Sequence, residues 1–387
     1  MKTDIIYLDY AASTPVDERV ADRMLECRAS AYANPSSNHL AGRRSRDTIE
    51  TAAAQLGALL NADPRTLIWT SGATESDNLA IAGAARYRAP RGKHLITMPT
   101  EHKAVTDVFR MLEKQDFEVT WLEPDERGRL DPAVLEAALR RDTQLASIMF
   151  VNNETGVIQD IEALGNVCRA NDVLFHVDAA QAVGKVPIDL SVLPVDLMSL
   201  TGHKFYGPKG IGALYIADRP ACYVEPLFFG GGQQRRIRPG TLPSDLIAGL
   251  GLASEIAAGR LHDDLAHLAT LRASFWNRIR DIDGLFVNGD PDSGFPGILN
   301  VSVSDIEGES LLLSLEPLCV ATGSACNSQA QEPSYVLRAL GRSDLEAQSS
   351  IRFSFGRHTT AEEVVFAAGR YAKSIERLRE LAPGDAA

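Results

Sequence analysis

The sequence predicts an α/β protein with a mainly parallel, seven-stranded sheet in a large domain, joined to a small α+β domain. Three features carry that prediction. Between residues 65 and 216 short β-rich runs alternate with helical patterns, the order that lays strands in parallel with helices on both faces. Several of those runs are apolar at nearly every position, as strands covered on both sides must be. Near residue 253 the texture changes to one long amphipathic pattern followed by alternating runs.

In chain order the candidate strands are "TLIWTS", "HLITMP", "FEVTWLE", "LASIMFV", "VLFHVDA", "VDLMSL" and "IGALYI". Intervening stretches such as "DPAVLEAALRRD" and "IEALGNVCRAND" carry helical spacing and capping residues. The segment "SEIAAGRLHDDLAHLATLRASFWNRIRDI" reads as one long helix leading to the second domain. After it come "ILNVSVS", "ESLLLSLEPLCVATG", "SSIRFSFGR" and the terminal helix "AEEVVFAAGRYAKSIERLREL". The expected division is a large domain over residues 14–257 and a small one formed by 1–13 with 258–387.

The chain has 387 residues, 45% of them hydrophobic and 23% charged, with a formal net charge of −12. That charge argues against a direct nucleic-acid partner. Two short basic clusters, Arg43-Arg44-Ser45-Arg46 and Arg235-Arg236-Ile237-Arg238, read as solvated faces or anion contacts. No run suits a secretion signal or a membrane span, so a cytoplasmic protein without a membrane partner is expected. The five cysteines, Cys27, Cys168, Cys222, Cys319 and Cys326, fit free thiols in a reducing compartment. No CxxC or clustered His/Cys spacing suggests a metal site.

Chemistry-bearing residues gather where strands end, which is where such sheets bind ligands. In "TSGATESDNLAI" Gly72 permits close backbone approach, and unpaired N–H groups at Ala73 and Thr74 would make an anion site. "TEHKAV" sets His102 at a strand end, and "FVNNETG" does the same for Asn152 and Asn153, although capping and turn chemistry explain such residues equally well. "FHVDAAQ" buries Asp178 behind an apolar run, where a carboxylate needs a cation or donor, with Gln181 beside it. Lys204 in "TGHKFYGPKG" needs a depressed pKa to act as a nucleophile. A buried Asp for a pyridinium nitrogen and a Lys for an imine are the two groups that pyridoxal 5′-phosphate (PLP) requires. The anion site would take its phosphate and His102 could cover its ring. In "SSIRFSFGR" strict alternation separates Arg352 from Ile351, Phe353 and Phe355, and Arg352 could clamp a substrate carboxylate. Cys326 lies among Gly323, Ser324, Ala325, Asn327 and Ser328, a small polar setting that suits a reactive thiol.

Together these segments resemble the cysteine desulfurases of the NifS/IscS type, fold-type I PLP enzymes of the class-V aminotransferase family. "YLDYAASTPVD", "NPSSNH", "TSGATESDNLA", "TEHKAV", "VNNETG", "HVDAAQAVGKVPID", "GHKFYGPKGIGALY", "RPGT", "GSACNS", "EPSYVLRALG" and "SSIRFSFGR" carry the match nearly end to end. The resemblance implies that Lys204 bonds the cofactor and acts as base, Asp178 pairs with its pyridine nitrogen, and Gln181 bonds its 3-oxygen. It implies that His102 stacks on the ring and shuttles protons, while Ala73, Thr74, Thr201 and His203 hold the phosphate. Thr241 would reach the phosphate of a neighbouring subunit, so a homodimer is implied. Asn153 and Arg352 would hold the carboxylate of L-cysteine, and Cys326 would accept its sulfur for delivery to an acceptor protein, a scaffold or a sulfur relay. A selenocysteine lyase or aminotransferase would share Lys204 and Asp178, and a non-catalytic sulfur-delivery scaffold would lack a catalytic group. Three positions depart from the family's habit: Ala33 for glycine, Gln234 for glutamate and Arg236 for glycine.

Overall fold

A computed structural model describes residues 5–322 and 333–381. All seven predicted runs form strands of one sheet: β2 (Leu67–Thr70), β3 (His94–Thr97), β4 (Glu118–Trp121), β5 (Thr143–Ser147), β6 (Leu174–Asp178), β7 (Leu197–Thr201) and β8 (Gly212–Ile216). A short β1 (Ile6–Tyr7) precedes them. In space the order is β2-β8-β7-β6-β5-β3-β4. From β7 to β4 every pairing is parallel, whereas β8 runs antiparallel to both β7 and β2. Six of the seven strands are buried along their whole length, which is why they read as unbroken apolar runs, and only the edge strand β4 keeps partial exposure.

Helices α1 (Glu18–Ser30), α2 (Leu40–Leu60), α3 (Ala73–Arg88), α4 (Lys103–Glu113), α5 (Pro132–Ala138), α6 (Ile161–Ala170) and α7 (Ser244–Ile279) pack around the sheet. Of these, α3 lies against β5, β6, β7 and β8. Its run from Leu79 to Ala85 is wholly buried, as expected of a helix with little polar face. Helix α7 begins at Ser244, ten residues before the start that the sequence pattern suggested. Glycines in "LIAGLGLAS" hide that start, because they look like helix breakers. Their reason is packing. A Cβ on Gly251 would lie 2.6 Å from Ala52 of α2, and one on Gly249 would lie 2.8 Å from Met24 of α1. The boundary expected at residue 257 therefore falls inside one continuous helix.

Strands β9 (Leu285–Val287), β10 (Ile298–Val303) and β12 (Ile351–Ser354) form an antiparallel sheet in the order β12-β10-β9, while β11 (Leu318–Cys319) pairs with β1 in parallel. Bridges from Asp9 to Ser354 and from Ala321 to Arg352 tie these two small sheets together. Phe353 stacks against Phe275 of α7 and Tyr371 of the C-terminal helix Ala361–Leu381, joining that layer to the long helix.

Two of the departures noted in the sequence share one turn, and the first of them lies on the outer edge of β2. Gln234 receives a hydrogen bond from Trp69 N at 2.5 Å and donates one to Trp69 O at 2.9 Å. A glutamate could take the first but not give the second, so this amide closes a free strand edge. Gln234, Arg235 and Arg236 all have left-handed backbones, with φ of 47°, 58° and 62°, which is the conformation that makes glycine common at such a place.

Candidate active site

A cleft of about 570 Å³ opens beyond the C-terminal ends of β2, β5, β6 and β7. Its size suits a small cofactor with a substrate. Strand β2 leads into the start of α3. Gly72 caps that helix with no side-chain hydrogen bond, so the first-turn N–H groups of Ala73 and Thr74 face the cleft unclaimed by a cap. The approach is tight. A Cβ on Gly212 of β8 would come within 2.7 Å of Gly72 Cα, so β8 needs glycine to let this helix start lie against it. A helix N-terminus aimed into a cleft favours a bound anion.

The next strand ends supply the titratable groups. Asp178 closes β6, is 4% exposed, and accepts from Ala180 N at 2.9 Å. Burial raises its pKa, opposed by His102, the Ala180 amide and Lys204. His102 is the N-cap of α4 and also lines the cleft: its Nδ1 accepts from Ala104 N at 3.1 Å. The neutral ring therefore carries its proton on Nε2. Burial lowers the pKa of His102, with Asp178 pulling the other way and Lys204 reinforcing it. Capping and facing the cleft are not alternatives for this residue.

Lys204 ends the tight turn after β7, and its Nζ donates to Ala11 O at 2.6 Å and Ala12 O at 3.0 Å. Gln181 Nε2 donates to the same Ala11 carbonyl at 2.6 Å. His203 shares a 3.3 Å contact with Ser13 Oγ. Burial, then Lys204, Lys209 and Lys185, push its pKa down to about 4, so the ring is neutral near pH 7. Thr201 and Lys209 also line the cleft.

The far wall comes from β12 and the turn after β5. Arg352 is 6% exposed, donates to Asn153 O at 2.8 Å and pairs with Asp9 at 2.7 Å. The polar alternation suggested by the sequence is real, but this face of β12 is closed by Asp9 and the Asn153 turn, not by solvent. Asn152, next door, is a structural residue whose Oδ1 accepts from the backbone of Glu154 and Thr155.

The structure thus brings Ala73, Thr74, His102, Asn153, Asp178, Gln181, Thr201, His203, Lys204 and Arg352 to one cleft. Thr241 lies elsewhere, exposed in a surface groove with Tyr32, Ala33 and Asn34. Cys326 falls outside the described residues. Several neighbours escaped the sequence reading. Asp9 is one. Glu154 is another, buried at the cleft, accepting from Ser334 Oγ at 2.5 Å, and raised by burial to a pKa of about 7. Asp77 and Glu101 lie buried near Asp178, each with one oxygen that makes no hydrogen bond among the described residues, and burial raises both. Such carboxylates at helix starts look like ordinary caps in a sequence, and nothing there signals their burial. Among the described residues no cluster of His, Cys, Asp and Glu could hold a metal ion, and no helix is long and apolar enough to cross a membrane.

Residues 6–365 match the family model for class-V aminotransferases. The chain belongs to the class-V aminotransferase family. Among its class-V relatives is the cysteine desulfurase IscS of Klebsiella pneumoniae subsp. pneumoniae, 53% identical over 381 residues, which is 98% of this chain and 94% of that protein. Solved structures agree in fold. A NifS-like protein superposes with a TM-score of 0.90 at 34% identity, covering 97% of this chain and 100% of that one. SspA in complex with cysteine superposes with a TM-score of 0.82 at 38% identity, covering 92% and 100%.

The family is PLP-dependent, and the cleft fits that group on its own chemistry. An uncapped helix start and two hydroxyl residues, Thr74 and Thr201, suit a phosphate. A buried carboxylate, Asp178, needs the positive partner that a protonated pyridine supplies. Lys204 places an amine at the same cleft.

Proposed function

We propose that this protein is a cysteine desulfurase, converting L-cysteine to L-alanine and carrying the sulfur on Cys326 for an acceptor protein. The observation that carries the reading is the meeting of Lys204, Asp178, His102 and Arg352 in one cleft, in a chain that is 53% identical to a cysteine desulfurase over nearly its whole length. When bound, PLP supplies an electron-withdrawing ring that acidifies the Cα–H of an attached amino acid.

The chain's own residues do the rest. Arg352 and Asn153 hold the substrate carboxylate, Arg352 through its paired N–H groups. Lys204 takes the Cα proton, and its present bonds to the Ala11 and Ala12 carbonyls keep its amine at the cleft. Neutral His102, with its Nε2 proton, passes a proton to or from the substrate. Asp178 holds the pyridine nitrogen, Gln181 the 3-oxygen, and Ala73, Thr74, Thr201 and His203 the phosphate. The Cys326 thiolate attacks the substrate sulfur. A sulfur–sulfur bond forms and the carbon–sulfur bond breaks, leaving its electron pair on carbon, where a proton completes L-alanine.

We also read the chain as one half of a cytoplasmic homodimer, with Thr241 facing the neighbour's phosphate site. Exposed Tyr32 and Thr241 share one surface groove, and Phe229 is exposed on the loop before the Gln234 turn, which suits a covered face. In this reading residues 14–257 bind the cofactor, and 1–13 with 258–387 carry Arg352 and Cys326. The acceptor is an iron–sulfur scaffold, a tRNA-thiolation relay or a DNA-sulfur-modification component.

Incubating the PLP-loaded protein with L-cysteine should release L-alanine. Arg352→Ala should raise KM by about tenfold or more while changing kcat less, since it removes a ground-state carboxylate contact. A protein that binds PLP yet forms no L-alanine from L-cysteine would overturn the reading.

A further inference from the structure

Lys185 has no part in the chemistry above, yet it is bonded to it. It follows Gln181 by four residues, in a run of turns where Lys185 N donates to Ala182 O at 2.9 Å. Its Nζ donates to Gln181 Oε1 at 2.5 Å and sits 5.8 Å from the centre of the Phe295 ring. The bonded partner of this amine is a neutral amide. Gln181 Nε2 meanwhile donates to Ala11 O, the carbonyl that also receives Lys204 Nζ. One chain of hydrogen bonds thus runs from Lys185 through Gln181 to the anchor of Lys204.

The two ends of that chain fix the amide between them. A backbone carbonyl can only accept, so Ala11 O requires Nε2 on its side. That leaves Oε1 on the other side, where Lys185 supplies an N–H whether the buried amine is charged or neutral. The carbonyl sets the orientation and the amine completes it. This orientation leaves a second N–H on the Nε2 of a residue that lines the cleft. Without Lys185 the buried Oε1 loses its donor, and a flipped amide would present an acceptor to the cleft. Lys185 and Lys204 line a common cavity of about 30 Å³, so no more than a few waters could replace the amine.

We propose that Lys185 is a positioning residue for the cofactor, holding the Gln181 carboxamide so that its Nε2 donates into the cleft. The proposal rests on the reading of Gln181 as the donor to the 3-oxygen of PLP.

A double-mutant cycle on PLP affinity tests it, using apoprotein titrated with PLP and the visible absorbance of the bound cofactor. Lys185→Met, which fills the space without donating, should weaken PLP binding about tenfold, and Lys185→Arg should stay within about threefold. The pH midpoint of the visible band should move in Lys185→Met and return in Lys185→Arg. In a Gln181→Ala background the same Lys185→Met change should have less than about a twofold effect. Equal losses in both backgrounds, or no loss in either, would overturn the proposal while Gln181→Ala alone still weakens binding. If Gln181→Ala binds PLP as tightly as the parent, the reading of Gln181 fails, and the proposal with it. Lys185→Leu takes the place of Lys185→Met if the latter does not fold.

Discussion

Glu154 shows how much of a site can be silent in a sequence. In "VNNETG" it reads as a turn residue, and its neighbours Asn152 and Asn153 draw the eye. Folded, it is buried against Ser334 Oγ, with Arg352 and Lys103 the cations that lower its pKa against a larger rise from burial. Its folded pKa of about 7 lies above the ordinary 4.5. Between those values the native state holds a proton that the unfolded chain has lost, so Glu154 costs stability as pH rises through the window. Glu154→Gln keeps an acceptor for Ser334 and removes the titration. Its stability relative to the parent should therefore increase between pH 4.5 and 7 by on the order of 2–3 kcal/mol, and stay flat above. Thermal unfolding across that range checks it, and a constant offset would count against the buried-acid account. By contrast Lys204, Asp178 and His102 were legible because each follows an apolar strand, where a polar residue needs a reason. Asp9 was not, since its partner Arg352 stands 343 positions away and only the bridge between Asp9 and Ser354 of β12 brings them together.

At the scale of elements, the seven strands could be read directly because both faces of the sheet are covered, so apolar character alone marks them. The sheet's reversal at β8 could not, because antiparallel and parallel strands look alike when both are buried. Helix α7 was read short for a related reason. Gly249 and Gly251 argue locally against a helix, and only their contacts with α1 and α2 explain them. Gly251→Val would push a side chain into Ala52 at a point where a Cβ alone reaches 2.6 Å. It should cost about 1–3 kcal/mol of stability, measured by urea unfolding. The exposed Gly259, with nothing within 4 Å of a built Cβ, should tolerate alanine with no loss. Equal effects at the two sites would mean that helix propensity, not packing, governs α7.

At the scale of the whole molecule, the cleft is assembled from distant parts of the chain: the Ala11–Ala12 segment, the strand ends between Thr70 and Thr201, and β12. Each contributes a group that is unremarkable alone, and the fold supplies the meaning by bringing an amine, a buried carboxylate, an uncapped helix start and a buried guanidinium to one place. In the proposed reading these groups hold PLP and an amino acid, but they are common to many reactions. What separates a desulfurase from an aminotransferase on this scaffold is a thiol that accepts sulfur, and the proposed reading gives that task to Cys326. The most direct measurement is therefore peptide mass analysis of the PLP-loaded protein after one turnover with L-cysteine, alongside the L-alanine formed. The account predicts one added sulfur atom on the Cys326 peptide for each L-alanine released, and neither product from Cys326→Ser. L-alanine formed by Cys326→Ser at the parent rate, or sulfur appearing on another cysteine, would contradict it.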